Sequence, residues 1–573
     1  MLLSKVRIEN FRGITTLEID LDPTTVLIGE NNVGKSTVLD ALSVCLSRGL
    51  GRRSAPFSEY DFHLADGAAQ PAQAPTIRLT LTFQESKEQE WPNEIAQTFV
   101  GAIQSLDDGR QQLTFRVQSQ YDEATRDFPV EWSFLDLKDN PLPGARNARL
   151  VPDLQQLAPL FFLAALRDAS QHFSARAPFW APFTKNVSIG EQKRSELEAQ
   201  IQAVNQAVLE AHEPFAVVKD QLARTGTLMP LANTDPVSIE AIPLRIFDLL
   251  TRTQVKLASR SGAKLPLTTH GSGTQSLTVI FLFQAFLQAQ LRESFTADSA
   301  PILALEEPET HLHPSAIRAL WETLFAMEGQ KIITTHSGDL LGAVPLSSVR
   351  RLARKNGVVQ VFRVGDATLD ERDQQKVSYH IRAKRGALLF ARCWLLVEGE
   401  TEFTAIPELG RLLGFDFELA GIACVEFAQC GLRPLIRVAR DLGIEWHVLA
   451  DGDPAGGTYV QTAMALLGPD SSNERVTRLS VRDFEHAMWN AGFSYVYADA
   501  VDTAHQGLVT ALPGTPEHAS QTIEAAVKST SKPNMAYAVL AAAANALPFG
   551  PPAIPVELKQ AIETVIRLAR AAD

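Results

Sequence analysis

Cysteine is scarce, with four residues (Cys45, Cys393, Cys424 and Cys430) in 573. That number and spacing exclude a disulfide framework, and none of them forms a C-x-x-C metal knuckle. Long apolar runs are also missing. The most apolar late stretch, 536–547, contains Asn545, stops at Pro548 and is too short to span a bilayer. The opening MLLSKVRIENFRGI alternates apolar with charged residues and has no signal-peptide core. The expectation is a soluble protein of a reducing compartment, the cytoplasm. An excess of positive charge is absent too: 53 basic side chains face 66 acidic ones, a net charge of −13. This excludes a protein that coats nucleic acid through bulk positive charge. It leaves room for an enzyme whose active site is built of metal-binding carboxylates. From residue 385 onward, 14 Lys and Arg meet 22 Asp and Glu, so the shorter C-terminal part carries most of the deficit. No internal repeat is visible, and 45% hydrophobic with 21% charged residues excludes a disordered chain.

What is present is most legible in the first forty residues. Val6 and Ile8, then Leu17, Ile19 and Leu21, alternate as half-buried strands do, with Arg12-Gly13 as the turn. A third strand over 25–28 runs into a glycine-bearing loop, and a helix is predicted over 36–46 with Val38, Leu39, Leu42 and Leu46 on its apolar face. Strands follow at 76–83, 113–120 and 130–137, then a fully apolar run at 160–166. Between 190 and 224 the chain becomes rich in Glu, Gln, Ala and Lys, and Leu197, Ile201, Val204 and Val208 form a narrow stripe. This reads as an amphipathic helix packed on its own domain, or as a helical dimerisation insert. Strand–helix patterns resume at 239–352 and from Trp394 onward, with a seam over 384–392.

Gly29-Glu-Asn-Asn-Val-Gly34-Lys35-Ser36 satisfies G-x-x-x-x-G-K-[ST] between a strand and a helix. Loop N–H groups at the positive end of that helix suit phosphates. Lys35 can reach the β- and γ-phosphates, and Ser36 can ligate Mg²⁺. Gly29, Asn31, Asn32, Gly34, Lys35, Ser36 and Thr37 are the expected nucleotide-binding residues. Further on, the apolar strand at 302–305 ends in Glu306-Glu307, with Glu306 expected on Mg²⁺ and Glu307 expected to position water. Gly271-Ser272-Gly273 opens a helix over 275–287, so that Ser272 and Gly273 form a second phosphate-binding start. A strand over 331–335 ends in His336, placed to sense a γ-phosphate.

In this order the four motifs resemble the ABC-type ATPase heads of the SMC and RecF group. The resemblance implies a head-to-head homodimer with composite ATP sites. The signature H-G-S-G-T-Q departs from the commoner L-S-G-G-Q, and roughly 235 residues between Lys35 and Ser272 leave no room for a long coiled coil.

A second constellation starts with a strand at 393–397 that delivers Glu398-Gly399-Glu400-Thr401-Glu402, with a helix predicted over 404–413. A strand at 446–450 then delivers Asp451-Gly452-Asp453. Two parallel strands ending in acids bring carboxylates together where open α/β sheets bind ligands, and hard oxygen donors suit Mg²⁺ or Mn²⁺. The pattern resembles a Toprim domain, although Ala455 stands where topoisomerases and primases carry a third acid.

Head plus Toprim makes the full chain resemble the OLD (overcoming lysogenization defect) family of ATP-dependent endonucleases, with EEPETHLHP at 306–314, LLVEGETE at 395–402 and FAQCG at 427–431 as local signatures. The expected fold is α/β: an ATPase N-terminal lobe at 1–165, a helical dimerisation insert at 166–250, an ATPase C-terminal lobe at 251–384 and a Rossmann-like Toprim domain at 385–573. The resemblance implies a two-metal nuclease. Glu398, Glu402 and Asp451 would make one metal position, and Asp453 with Glu485 or Asp483 the other. Lys532 would stand near the scissile phosphate, with Mg²⁺ or Mn²⁺ active and Ca²⁺ an inhibitor or partial substitute. DNA and a helicase-like protein are the expected partners. A non-cleaving DNA-repair ATPase and an RNA-directed nuclease are the alternatives.

Overall fold

The computed structural model describes residues 1–46, 57–64, 70–143, 150–163, 189–211, 214–215, 217–219, 239–250, 255–258, 262–289, 291, 295–296, 298–383, 386–467, 472–546 and 553–572. β1 (Leu2–Phe11) and β2 (Ile14–Asp20) form a hairpin through Arg12-Gly13, with Val6 opposite Ile19 and Ile8 opposite Leu17. The alternation holds, since those four residues are buried while Glu18 and Asp20 face solvent. β3 (Thr24–Gly29) departs into a second sheet. β4 (Ile77–Gln84), β5 (Ile103–Ser105), β6 (Gln111–Ser119) and β7 (Val130–Leu135) return to the first, which is antiparallel in the order β2-β1-β4-β6-β5 with β7 also on β6.

Next come β8 (Leu160–Leu163), the small hairpin of β9 (Lys256–Ala258) and β10 (Lys264–Pro266), β11 (Ile302–Glu306), β12 (Gln330–Thr334), β13 (Val349–Lys355) and β14 (Val358–Phe362). They complete the second sheet in the order β14-β13-β3-β12-β11-β8, parallel except for the β13–β14 pair. Its central strands β3 and β12 are buried along their whole length, and β11 up to Glu306, because both faces are covered. The helix Lys35–Leu46 and the first sheet cover one face; the helices Ser272–Ala289 and Pro314–Ala326 cover the other.

A third sheet, all parallel, is formed by β15 (Cys393–Val397), β16 (Ile422–Glu426), β17 (Glu445–Ala450) and β18 (Val476–Arg478) in the order β16-β15-β17-β18. The helices Glu400–Leu412, Lys532–Ala546 and Val556–Ala571 pack on one face. The other face shares a continuous core with the second sheet, running from Val26, Leu303 and Ile333 through Leu389 to Trp394, Val425 and Trp446. The two α/β units are therefore one packed body in which the sheets meet through apolar side chains.

The sequence places a helix at 404–413, but helix begins at Glu400. Glycine at 399 offers no side-chain cap, and the end is closed instead by Glu402 Oε2, which accepts from the Gly399 N–H at 3.1 Å. The predicted stripe lies on the helix Glu191–Glu210, where Val204 and Val208 are exposed and Asn205 is buried, accepting from the N–H groups of Ala241 and Ile242. Much of 166–250 lies outside the described residues, as do Ala164 to Leu166 of the apolar run, Lys384 and Arg385 of the seam, and Leu547 and Pro548. All four cysteines are buried, and none is in a disulfide. Among the described residues no helix is long and apolar enough to cross a membrane.

Candidate nucleotide and metal sites

The parallel order β13-β3-β12-β11 brings three motif-bearing strand ends side by side: the Gly29–Ser36 loop after β3, Glu306 at the end of β11, and His336 after β12. Lys35 is buried, and its ammonium donates to the carbonyls of Gly29 at 2.8 Å and Glu30 at 2.7 Å. Burial pulls its pKa down to about 8, against the opposing pull of Glu307 and Glu30. Ser36 Oγ donates to Glu306 Oε1, so the hydroxyl and the carboxylate expected to share Mg²⁺ already touch. Asn31 and Asn32 are exposed in the loop, Asn32 with a left-handed φ of 63°, and Thr37 is half-buried on the first turn of the helix.

Glu307 carries a strained φ of 45°, outside the comfortable range of a residue with a Cβ. That backbone turns its carboxylate toward His336, whose Nε2 lies 3.7 Å from Glu307 Oε1. Burial and the neighbouring Lys35 hold the His336 imidazole below its ordinary range, with Glu307 opposing them. Glu309 is a third acid that the motif reading passed over. It is buried, and its Oε1 accepts from Thr335 Oγ1 at 2.5 Å and from the His336 N–H at 3.2 Å. It therefore fixes the backbone that presents His336, and its position in Glu306-Glu-Pro-Glu309 was the available signal.

Ser272 and Gly273 do begin a helix, Ser272–Ala289, but no hydrogen bond joins them to the Lys35 loop among the described residues. Gly273 packs against the turn after Glu309, where an added Cβ would stand 2.7 Å from the His311 carbonyl oxygen.

The second site forms at the C-terminal ends of β15 and β17. Gly452 after β17 donates to the carbonyls of Val481 and Arg482, each at 3.1 Å, and an added Cβ there would stand 2.1 Å from Val481 O. This approach ties the Asp451–Asp453 loop to the segment carrying Asp483 and Glu485. Arg478, at the end of β18, clasps the same loop by donating to the carbonyls of Asp451 at 3.4 Å, Gly452 at 2.9 Å and Asp453 at 3.1 Å. No local sequence signal marks Arg478, because its acceptors are backbone groups about 25 residues away.

Burial raises the Asp451 carboxyl to about 8, reinforced by Glu402, Glu398, Asp483 and Glu485. Burial and then Asp453 raise Glu398, and burial raises Glu402. Glu485 is raised by burial and Asp483 against the pull of Lys532. Asp483 moves the other way, because hydrogen bonds from His486 outweigh its burial; His486 Nδ1 lies 2.5 Å from Asp483 Oδ1 and Nε2 lies 3.0 Å from Ser520 Oγ. Asp453 and Asp483 each commit an oxygen to a helix start, accepting from the N–H groups of Gly456 and His486. Lys532 opens the helix Lys532–Ala546 with Nζ 3.5 Å from Glu485 Oε1. Burial opposes its charge, but Glu485, Asp483 and Glu402 raise its pKa overall.

The donor set is all hard oxygen; among the described residues the buried Glu398 Oε2 accepts no hydrogen bond, and the buried Glu485 Oε1 is met by Lys532 at 3.5 Å. Both features fit a divalent cation. Among the described residues no three His, Cys, Asp or Glu side chains stand arranged to hold one ion. Cation binding therefore requires these side chains to turn inward.

A family profile described as "Protein of unknown function (DUF2813)" matches residues 1–387, and one described as "Overcoming lysogenization defect protein-like, TOPRIM domain" matches 389–453. The chain is 32% identical over 590 residues to uncharacterized protein YbjD of Escherichia coli (strain K12), covering 100% of this chain and 99% of that protein. It is 26% identical to the OLD nuclease of Thermus scotoductus, covering 79% of this chain and 82% of the relative. Endonuclease GajA of Bacillus cereus is 23% identical, with 82% and 78% covered. The first two sheets fall within 1–387 and the third opens within 389–453, so the chain belongs to the family described as "Protein of unknown function (DUF2813)" and carries a TOPRIM domain like that of overcoming lysogenization defect proteins.

Proposed function

We propose that this chain is an ATP-dependent, divalent-metal-dependent DNA endonuclease that works as a homodimer. The observation that carries the reading is the Toprim edge, where Glu398, Glu402, Asp451 and Glu485 all resist ionisation in one another's company beside the ammonium of Lys532. Carboxylates gathered at such a cost suit a site completed by cations. Glu398, Glu402 and Asp451 would hold one ion, and Asp453 with Glu485 or Asp483 the other. Bound there, divalent cations would supply an activated water and stabilise the leaving oxygen. Lys532 keeps its proton at neutral pH and offers a fixed positive charge to a phosphate entering beside Glu485.

In the head, the Gly29–Thr37 loop would cradle the ATP phosphates, and Ser36 with Glu306 would hold Mg²⁺. Glu307, turned by its strained backbone toward His336, would orient the hydrolytic water. Ser272 and Gly273 of a second copy would complete the site. The names of the relatives, OLD nuclease and endonuclease GajA, support the nuclease part.

Among the described residues no three of these acids are gathered on one point, which favours a second reading: an ATPase that does not cleave. Supercoiled plasmid incubated with Mg²⁺ or Mn²⁺ separates the two. Glu398→Ala is expected to abolish nicking and leave ATP turnover intact, whereas Lys35→Ala removes ATP turnover. Cleavage that survives both Glu398→Ala and Asp451→Ala overturns the site.

A further inference from the structure

Three consecutive residues lead from the head into β15, and a different part of the nucleotide site grips each. Phe390 stacks on the His336 ring, with centroids 6.3 Å apart and planes 13° from parallel. The Ala391 carbonyl accepts from Arg351 Nη2 at 3.0 Å. Arg351 lies on β13 beside Ile28 of β3, the strand that runs into the phosphate loop. Its other guanidinium nitrogen, Nη1, donates to the carbonyls of Leu442 at 3.1 Å and Gly443 at 3.3 Å. Arg392 forms a two-pronged pair with Glu30, a phosphate-loop residue, through Nε to Oε1 and through Nη2 to Oε2 at 2.9 Å.

Downstream, the same residues are built into the Toprim sheet. Arg392 N donates to Gly421 O at 2.7 Å, and its carbonyl accepts from Glu445 N at 2.9 Å. From there β15 is a fully buried strand whose next residue is Glu398. A displacement of 390–392 therefore passes along a packed strand to a metal-site carboxylate, because such interiors shift as units rather than deform. Beside the Glu30–Arg392 pair lies a cavity of about 110 Å³, lined by Glu30, Asn31, Asn32, Arg351, Arg354 and Arg392, which gives the loop side chains room to move.

We propose that Phe390-Ala391-Arg392 is the link through which nucleotide in the phosphate loop sets the position of Glu398, and with it the cation affinity of the Toprim site. Phosphates entering the loop compete for the Lys35 ammonium that now holds Gly29 O and Glu30 O, and a γ-phosphate would meet His336. Both events act on residues that touch the link. The proposal rests on the nuclease reading for its natural readout, so the test carries a second one.

The apparent Mn²⁺ half-saturation of plasmid nicking is measured with and without a non-hydrolysable ATP analogue supplied with Mg²⁺. In parallel, Mn²⁺ binding is followed by calorimetry as the difference between the protein and its Glu398→Ala variant, both with and without the analogue. In wild type the nucleotide is expected to shift half-saturation by about 5- to 150-fold, the usual range of such coupling. Arg392→Ala and Phe390→Leu should each bring that factor toward one, while nucleotide-free Mn²⁺ affinity stays within about twofold. Arg392→Lys should keep part of the shift, having the charge without the fork. An absent shift in wild type, or an undiminished one in both variants, overturns the link. If nicking is absent but calorimetry shows a nucleotide-dependent shift that Arg392→Ala removes, the nuclease reading falls and the link stands.

Discussion

Asp451→Asn isolates the electrostatic cost on which the proposed metal site is built. The wild-type carboxyl is raised from 3.8 to about 8 by burial and by four neighbouring acids. Taken alone, that change is worth about 5–6 kcal/mol against the ionised form. The proton is shared among coupled neighbours and one side of the site is open to solvent, so about 1–2 kcal/mol is the expected net penalty. Asn keeps the shape and removes the charge. In EDTA at pH 8 the variant should therefore melt above wild type, by about 2–4 °C. The shared core makes the unfolding unit large, which holds the shift to the lower end.

The sign with pH follows from proton counting. Between pH 4 and 8 the native protein holds a proton on Asp451 that the unfolded chain releases. Stability thus falls as pH rises through that window, and the advantage of the variant grows from near zero at pH 4 to its full value at pH 8. Saturating Mn²⁺ should reverse the order. A ligand at about 100 times its dissociation constant stabilises by about 2.7 kcal/mol, and only wild type retains the full set of acids. Differential scanning fluorimetry across pH, with EDTA or Mn²⁺, measures all of this. A variant that melts with or below wild type in EDTA at pH 8, or that gains as much from Mn²⁺, refutes the reasoning.

Gly452→Ala places a methyl group 2.1 Å from the Val481 carbonyl; it should cost about 1–3 kcal/mol and abolish plasmid nicking while ATP turnover persists, so unchanged nicking would show that the tie to Val481 is dispensable. Glu309→Ala leaves Thr335 Oγ1 and the His336 N–H without their acceptor, with an expected loss of about 1–3 kcal/mol in stability and a fall in kcat for ATP at little change in KM. Glu309→Gln retains the acceptor and should recover most of the turnover; failure of that rescue would mean that the charge, not the positioning, matters.

What could be read ahead of the structure was local. The hairpin of Val6 and Ile19, the loop between β3 and its helix, and the acids at the ends of β11, β15 and β17 all announce themselves within a short stretch of chain, by alternation or by a strand feeding a motif. Long-range pairings did not. Nothing in the sequence singles out Arg350 and Arg351, which stand side by side on β13, yet both are buried. Arg350 donates to the carbonyls of Asp20 and Ser347, and Arg351 to those of Ala391, Leu442 and Gly443. A backbone carbonyl leaves no mark on its own residue type, so nothing in the sequence tells such an arginine from a surface one. The same reason hid Arg478. Glu30 was passed over differently: it occupies a variable position of the phosphate loop, and its partner Arg392 lies 362 residues away.

The acidity of the chain takes on a specific meaning in this geometry. An excess of carboxylates concentrated in the Toprim part repels a polyanion, and burial, reinforced by mutual repulsion, makes Asp451 and the acids around it resist the loss of their protons. Cations that displace those protons would relieve both repulsions at once, so cation affinity should rise with pH and DNA should follow the cation. Lys532 and Arg478 are too few to hold a duplex by charge alone. On the nuclease reading, the site without cation turns DNA away and the loaded site admits it. Control of cation affinity is then control of substrate access as well as of chemistry. That gives a physical reason for tying Glu398, through one short strand, to the loop proposed to bind nucleotide.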